Sequence, residues 1–134
     1  MNHDYMIRLD KGEEVIQAIT SFCEQEGIRT ASVFGLGATD YVKIGLFHTG
    51  EKKYHATVLE GPMEITSLVG NVTRKEGEVY LHFHINIADE SMIVRGGHLN
   101  ECRISATCEL FLHVLDGEVN RRFDEEIGLN LFQF

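Results

Sequence analysis

Several things are scarce in this chain, and each scarcity excludes something. No run of eighteen apolar residues occurs, so no membrane-spanning helix is expected. The opening stretch "MNHDYMIRLD" lacks the basic-then-apolar layout of a secretory signal. Cysteine is rare and odd in number (Cys23, Cys102 and Cys108), with no CxxC spacing. That points to a reduced, cytoplasmic protein in which Cys23 and Cys108 act as small hydrophobes on apolar faces. The only proline, Pro62, is expected at a strand start, where a missing N–H costs least. Bases are outnumbered by acids, 12 to 21, for a net charge of −9. A nucleic-acid binder draws much of its affinity from Lys and Arg releasing phosphate counterions. Here the one Arg–Arg pair, Arg121 and Arg122, is followed closely by Asp124, Glu125 and Glu126. Direct nucleic-acid binding by this chain alone is therefore not expected.

What is present is ordinary in bulk and patterned in detail. A hydrophobic content of 43% and a charged content of 25% suit a soluble globular protein. No linker, low-complexity tract or repeat interrupts the 134 residues, which read as a single domain over 1–134. "DKGEEVIQAITSFCEQEGI" places Val15, Ile16, Ile19, Phe22 and Cys23 at helical spacing. Asp10 is expected to cap that helix, with Glu13 three residues on, and Gly27 to stop it. Nearly everything else alternates. In "EVYLHFHINIA" the odd positions Val79, Leu81, Phe83, Ile85 and Ile87 are apolar. "RISATCELFLHVL" carries an apolar row from Ile104 through Ala106 and Cys108 to Val114, and "YVKIGLFH" carries Val42, Ile44 and Leu46. Each is a strand with one face in the core. "RKEG" at 74–77 reads as a hairpin turn. The fold class is thus α+β, a mostly antiparallel sheet with one main helix packed on it. The apolar tail, with Leu129, Leu131, Phe132 and Phe134, is expected to dock on the body or on a neighbouring subunit.

The chemistry concentrates in "LHFHIN". His82 and His84 share a parity opposite the apolar row, so both leave one face of the strand, about 7 Å apart at Cα. Two imidazoles so placed can converge on one ion at about 2.0–2.1 Å from each nitrogen. Gly96 and Gly97 precede His98 and free the backbone to fold close, which lets His98 supply a third nitrogen. The bland alternative is a solvated or interfacial polar face. Imidazole ligands without paired thiolates suit zinc first, or another divalent transition metal. Three neutral ligands leave the ion's charge uncompensated, so a water, a carboxylate or a small anionic ligand is expected to complete the site.

Other features carry less. "GLGA" at 35–38 is too short for a dinucleotide fingerprint and is followed by a strand, which favours a bulge or a subunit contact. Asp89, Glu90 and Glu101 can orient an imidazole or act as a base, or remain solvated. Arg95 can grip an anion or lie on the surface. His48, His55 and His113 read as strand residues without a nameable partner. No serine or cysteine stands beside an evident base and orienter, so a hydrolase triad has no support.

The strand "LHFHINIADE", followed by "VRGGHL", resembles the plant-and-prokaryote-conserved (PPC) domain. "GLGATDYVKIGLFH", "EGPMEITSLVGNVT" and "ELFLHVLDG" fit the same family, so the resemblance covers nearly the whole chain. It implies an α+β fold whose prokaryotic members are stand-alone homotrimers, some with a metal on the positions of His82, His84 and His98. In plants the domain follows an AT-hook and mediates protein–protein contact, and stand-alone relatives are often labelled as presumed DNA-binding proteins. This chain departs in two ways. No Arg-Gly-Arg-Pro core occurs, and "GPMEIT" keeps Gly61, Glu64 and Ile65 of the plant Gly-Arg-Phe-Glu-Ile-Leu stretch but not its Arg, Phe and Leu. Three readings follow, in this order: a homotrimeric metal-binding module of regulatory or scaffolding role, a metal-dependent enzyme acting on a small molecule, and a DNA-associated protein acting through partners. The catalytic residues of the second are not identified by the sequence.

Overall fold

The computed structural model describes residues 3–134, and the first two residues of the expected 1–134 domain lie outside the described residues. Along the chain run β1 (Asp4–Asp10), α1 (Val15–Glu26), β2 (Ala31–His48), β3 (Lys53–Lys75), β4 (Glu78–Ala88), β5 (Val94–Val114), β6 (Asn120–Asp124) and β7 (Leu129–Gln133). The architecture is the expected one, a mostly antiparallel sheet with one helix. No helix among the described residues is long and apolar enough to cross a membrane.

Val15, Ile19 and Cys23 face inward on α1 and are fully buried. Gly27 ends the helix in the left-handed region at φ 65°, a conformation that costs glycine nothing. The start differs from expectation. Glu14, not Asp10, is the cap, its carboxylate accepting from the N–H groups of Ile16 and Gln17 at 2.9 Å each. The same carboxylate accepts from the Cys102 N–H at 2.9 Å, so the longer side chain ties the helix to β5 as well. Asp10 and Glu13 instead close the preceding turn, the Asp10 N–H donating to the Glu13 carboxylate at 2.7 Å.

The long strands close on one another. β2 pairs with β3 on one side and with β5 on the other. β3 pairs with β4, and β4 returns to the first residues of β5 through His84↔His98 to Ala88↔Val94. β1 extends the far end of β5, while β6 and β7 form a hairpin joined to β3 at Arg74↔Asn120. The inner face, with Phe83, Ile85, Ile87, Leu110 and Leu112, packs with α1 into one core. The 74–77 turn is a two-residue hairpin with φ 53° at Glu76 and 83° at Gly77, matching the right-handed strand twist.

Local irregularities correct three expectations. Pro62 lies inside β3 rather than at a strand start: Tyr41 pairs with Glu60 and Thr39 with Met63, so a bulge removes Pro62 from the ladder. Ala106 leaves the core because the pairing of β2 with β5 slips between Cys108 and Ile104. Leu46 is 63% exposed because β2 runs past the end of the core there. "GLGA" does form a bulge, and a Cβ on Gly35 would stand 2.4 Å from the Glu109 carbonyl oxygen.

Candidate metal centre

Strand parity delivers two histidines and strand register delivers the third. His82 and His84 leave the outer face of β4, because Phe83 and Ile85 between and beside them are buried in the core. His98 lies directly across from His84 in the β4–β5 ladder. Gly96 and Gly97 are extended strand in close quarters. A Cβ on Gly96 would sit 2.4 Å from the Ile85 carbonyl oxygen, and one on Gly97 would sit 2.7 Å from that of Gly45. Glycine there lets three backbones approach, and the approach carries His98 to its partners.

The result is a compact triad. One ring nitrogen from each of His82, His84 and His98 lies within 4.8 Å of the other two. Ring centroids are 5.0 Å apart for His82 and His84, 5.3 Å for His82 and His98, and 5.7 Å for His84 and His98. A tetrahedral ion with bonds near 2.05 Å needs nitrogens about 3.3 Å apart, a closure within reach of small ring rotations. Burial, then the nearby His98, His84 and Arg121, lowers the His82 pKa to about 4. Burial and His84 lower that of His98. Both rings are thus held in the neutral form that ligates a metal.

The triad forms part of the wall of a cleft of about 510 Å³. Its other walls come from the end of β2 and from the β6–β7 hairpin, so the apolar tail covers the histidine face of its own chain. Tyr54 packs edge-on against His98 at 5.7 Å, and its hydroxyl donates toward the Asn100 side-chain oxygen. Arg121, which the sequence showed only as half of a basic pair, turns inward from β6. Its guanidinium binds the Asn71 side-chain oxygen at 2.7 Å, and Asn71 is the cross-strand neighbour of His82. No local signal marks Arg121, because its side-chain partners Thr73 and Asn71 lie 48 and 50 residues away.

The remaining candidates do not join the triad. Asp89, Glu90 and Glu101 do not line the cleft. Asp89 instead caps its own turn at Ser91 and faces Arg95 at 3.8 Å, which accounts for both residues. His48 and His55 share Glu51, at 3.9 and 3.6 Å, and His113 pairs with Asp4. The cysteines are all buried, Cys102 included, and burial pushes their thiols up to about 11 for Cys23 and Cys102 and about 12 for Cys108. They are packing residues in neutral form, as expected for Cys23 and Cys108.

The Plants and Prokaryotes Conserved (PCC) domain matches residues 2–116 of the chain. The plant- and prokaryote-conserved (PPC) protein of Pyrococcus horikoshii is 38% identical and superposes with a TM-score of 0.93, covering 98% of this chain and 92% of that one. A protein of Archaeoglobus fulgidus described as metal-containing is 34% identical, with a TM-score of 0.93 over 98% of this chain and 94% of that one. A presumed DNA-binding protein of Bacteroides thetaiotaomicron is 27% identical, with a TM-score of 0.95 over 98% and 92%. No curated protein matches the chain.

Proposed function

This chain belongs to the Plants and Prokaryotes Conserved (PCC) domain family, and from that premise we propose that it is a homotrimeric metal-binding module of the cytoplasm, regulatory or scaffolding in role. The ion is zinc, or another divalent transition metal, held by His82, His84 and His98, with a small anionic ligand completing the site. One observation carries the reading: three imidazole nitrogens within 4.8 Å of one another on a solvent-accessible face, outside the core. A satisfied polar face has no reason to crowd three rings that repel one another when protonated. The name of the Archaeoglobus fulgidus protein supports a metal in this fold.

Assembly draws support from the outer face. Met6, Phe111, Phe34 and Val69 are successive neighbours across β1, β5, β2 and β3, and the next position in that row is His84. All four are more than half exposed in the single chain. An apolar row of this size is a contact surface rather than a resting one, and a second copy of the chain is the occupant proposed. The enzyme reading ranks below the module because none of the described residues lining the cleft is Asp or Glu. DNA association through partners ranks third, the net charge of −9 opposing phosphate contact.

Metal content, measured on full-length protein prepared without a histidine tag and then equilibrated with zinc, tests the reading. One ion per chain is expected. Well under one ion per chain after excess zinc would return the histidines to a polar face or an interface.

A further inference from the structure

We infer that the cleft over the histidines takes a carboxylate carried on an apolar body, with Arg121 as the group that pairs its charge. This rests on the metal reading above and adds the class of ligand and the residue that selects it.

Arg121 is 8% exposed, yet each of its hydrogen-bond partners is neutral. Nε donates to the Thr73 hydroxyl at 2.8 Å, one terminal nitrogen to the Asn130 carbonyl at 2.9 Å, and the other to the Asn71 side-chain oxygen at 2.7 Å. Its guanidinium lies over the rings of Tyr80 and Phe132, 4.6 and 4.7 Å from their centroids. Those three bonds use three of five N–H groups, leaving donor capacity at the terminal nitrogens. Buried charges are as a rule paired with an opposite charge or bound to an ion. This one is oriented by dipoles and aromatic faces, beside the histidine triad. A divalent ion on that triad would raise the formal charge of the cleft to +3, two from the metal and one from Arg121. None of the described residues lining the cleft is an acid that could offset it.

An anion settles that excess, and the shape of the cleft says which kind. Guanidinium matches the two oxygens of a carboxylate through parallel N–H donors. At about 510 Å³ the space is far larger than a bare inorganic anion needs and falls in the range of small organic ligands. Away from the histidines the wall is apolar, with Leu46, Phe47, Leu129, Leu131 and Phe132. An acid with an aromatic or branched aliphatic body covers that wall. Acetate or phosphate leaves it wet.

The rival role for Arg121 is a purely structural clasp that pins the tail hairpin to β3, and ligand chemistry separates the two. Zinc-loaded, tag-free full-length protein is titrated calorimetrically with 3-phenylpropionate, its amide, acetate and inorganic phosphate, with zinc per chain determined on the same sample. The acid should bind at least tenfold more tightly than the other three, and Arg121→Lys should weaken it tenfold or more at unchanged zinc content. Equal binding of acid and amide would reduce Arg121 to a clasp, and equal binding of acetate or phosphate would remove the apolar body from the proposal. No binding at one zinc per chain would overturn this inference alone, whereas zinc well below one per chain would overturn the metal reading and this one with it. Should Arg121→Lys fail to fold, the same series on zinc-free wild-type protein decides: an acid-over-amide preference that survives zinc removal belongs to Arg121, and one that vanishes with the ion overturns its role.

Discussion

Replacing His82 with alanine should make the metal-free protein less sensitive to acid. In the folded chain His82 titrates at about 4 instead of 6.5, because burial and neighbouring positive charge oppose its protonation. Between those two values the unfolded chain takes up a proton that the folded chain refuses. The unfolded state then binds more protons, so stability rises with pH across this window and is lost as pH falls from about 6.5 toward 4. The full gap corresponds to roughly 3 kcal/mol. Solvent reaches part of the ring and screens the effect, so about 1–2 kcal/mol is expected. For a chain of this length that is about 4–8 °C in melting temperature. The assay is thermal unfolding of chelator-treated protein at pH 7.5 and pH 4.5, at one fixed chain concentration. His82→Ala removes the group and should lose less stability than wild type over that interval, whatever the packing change does at pH 7.5. Zinc should favour wild type at pH 7.5: at a thousandfold excess over its Kd the ion stabilises wild type by about 4 kcal/mol, and the variant by little. Parallel losses in the two proteins would refute the claim that His82 is held neutral by its surroundings.

His84→Ala, like His82→Ala, should abolish stoichiometric zinc while keeping the wild-type circular dichroism spectrum, since His84 lies outside the core; His98→Ala should weaken zinc without loosening the segment, because residues 94–98 are held in the β4–β5 ladder. Gly97→Ala puts a methyl group 2.7 Å from the Gly45 carbonyl oxygen, and urea unfolding should show a loss of about 1–3 kcal/mol together with weaker zinc binding. Light scattering should give three chains of 15.2 kDa each, and Phe111→Glu, on the exposed row, should shift the protein toward monomer. Duplex DNA, A·T-rich or not, should show no mobility shift with the purified chain at physiological salt, and a sub-micromolar, salt-dependent complex would promote the DNA-associated reading.

Much of this protein is legible in its sequence because the relevant signals are local. Alternation in 78–88 places Phe83 and Ile85 inside and His82 and His84 outside, since successive side chains of any strand leave opposite faces. Helical spacing over 15–26 and Gly27 after it define α1, and the Glu76–Gly77 pair defines a hairpin, again from neighbours a few residues apart. Two-fold alternation also hides things: it tells which face a residue takes but not which strand lies alongside. Only the tertiary structure sets His98 across from His84, because that depends on β4 reaching the first residues of β5 while β2 holds the rest. Only it places Pro62 in a bulge and Ala106 outside the core, where register slips break the period on which the sequence reading relied. Arg121 is the clearest case. Its charge reads as surface, and a local rule has no reason to bury it. Contacts to Asn71 and Thr73, some fifty residues earlier in the chain, carry it inward, and long-range contacts of that kind exist only once the core has fixed where the tail hairpin lies.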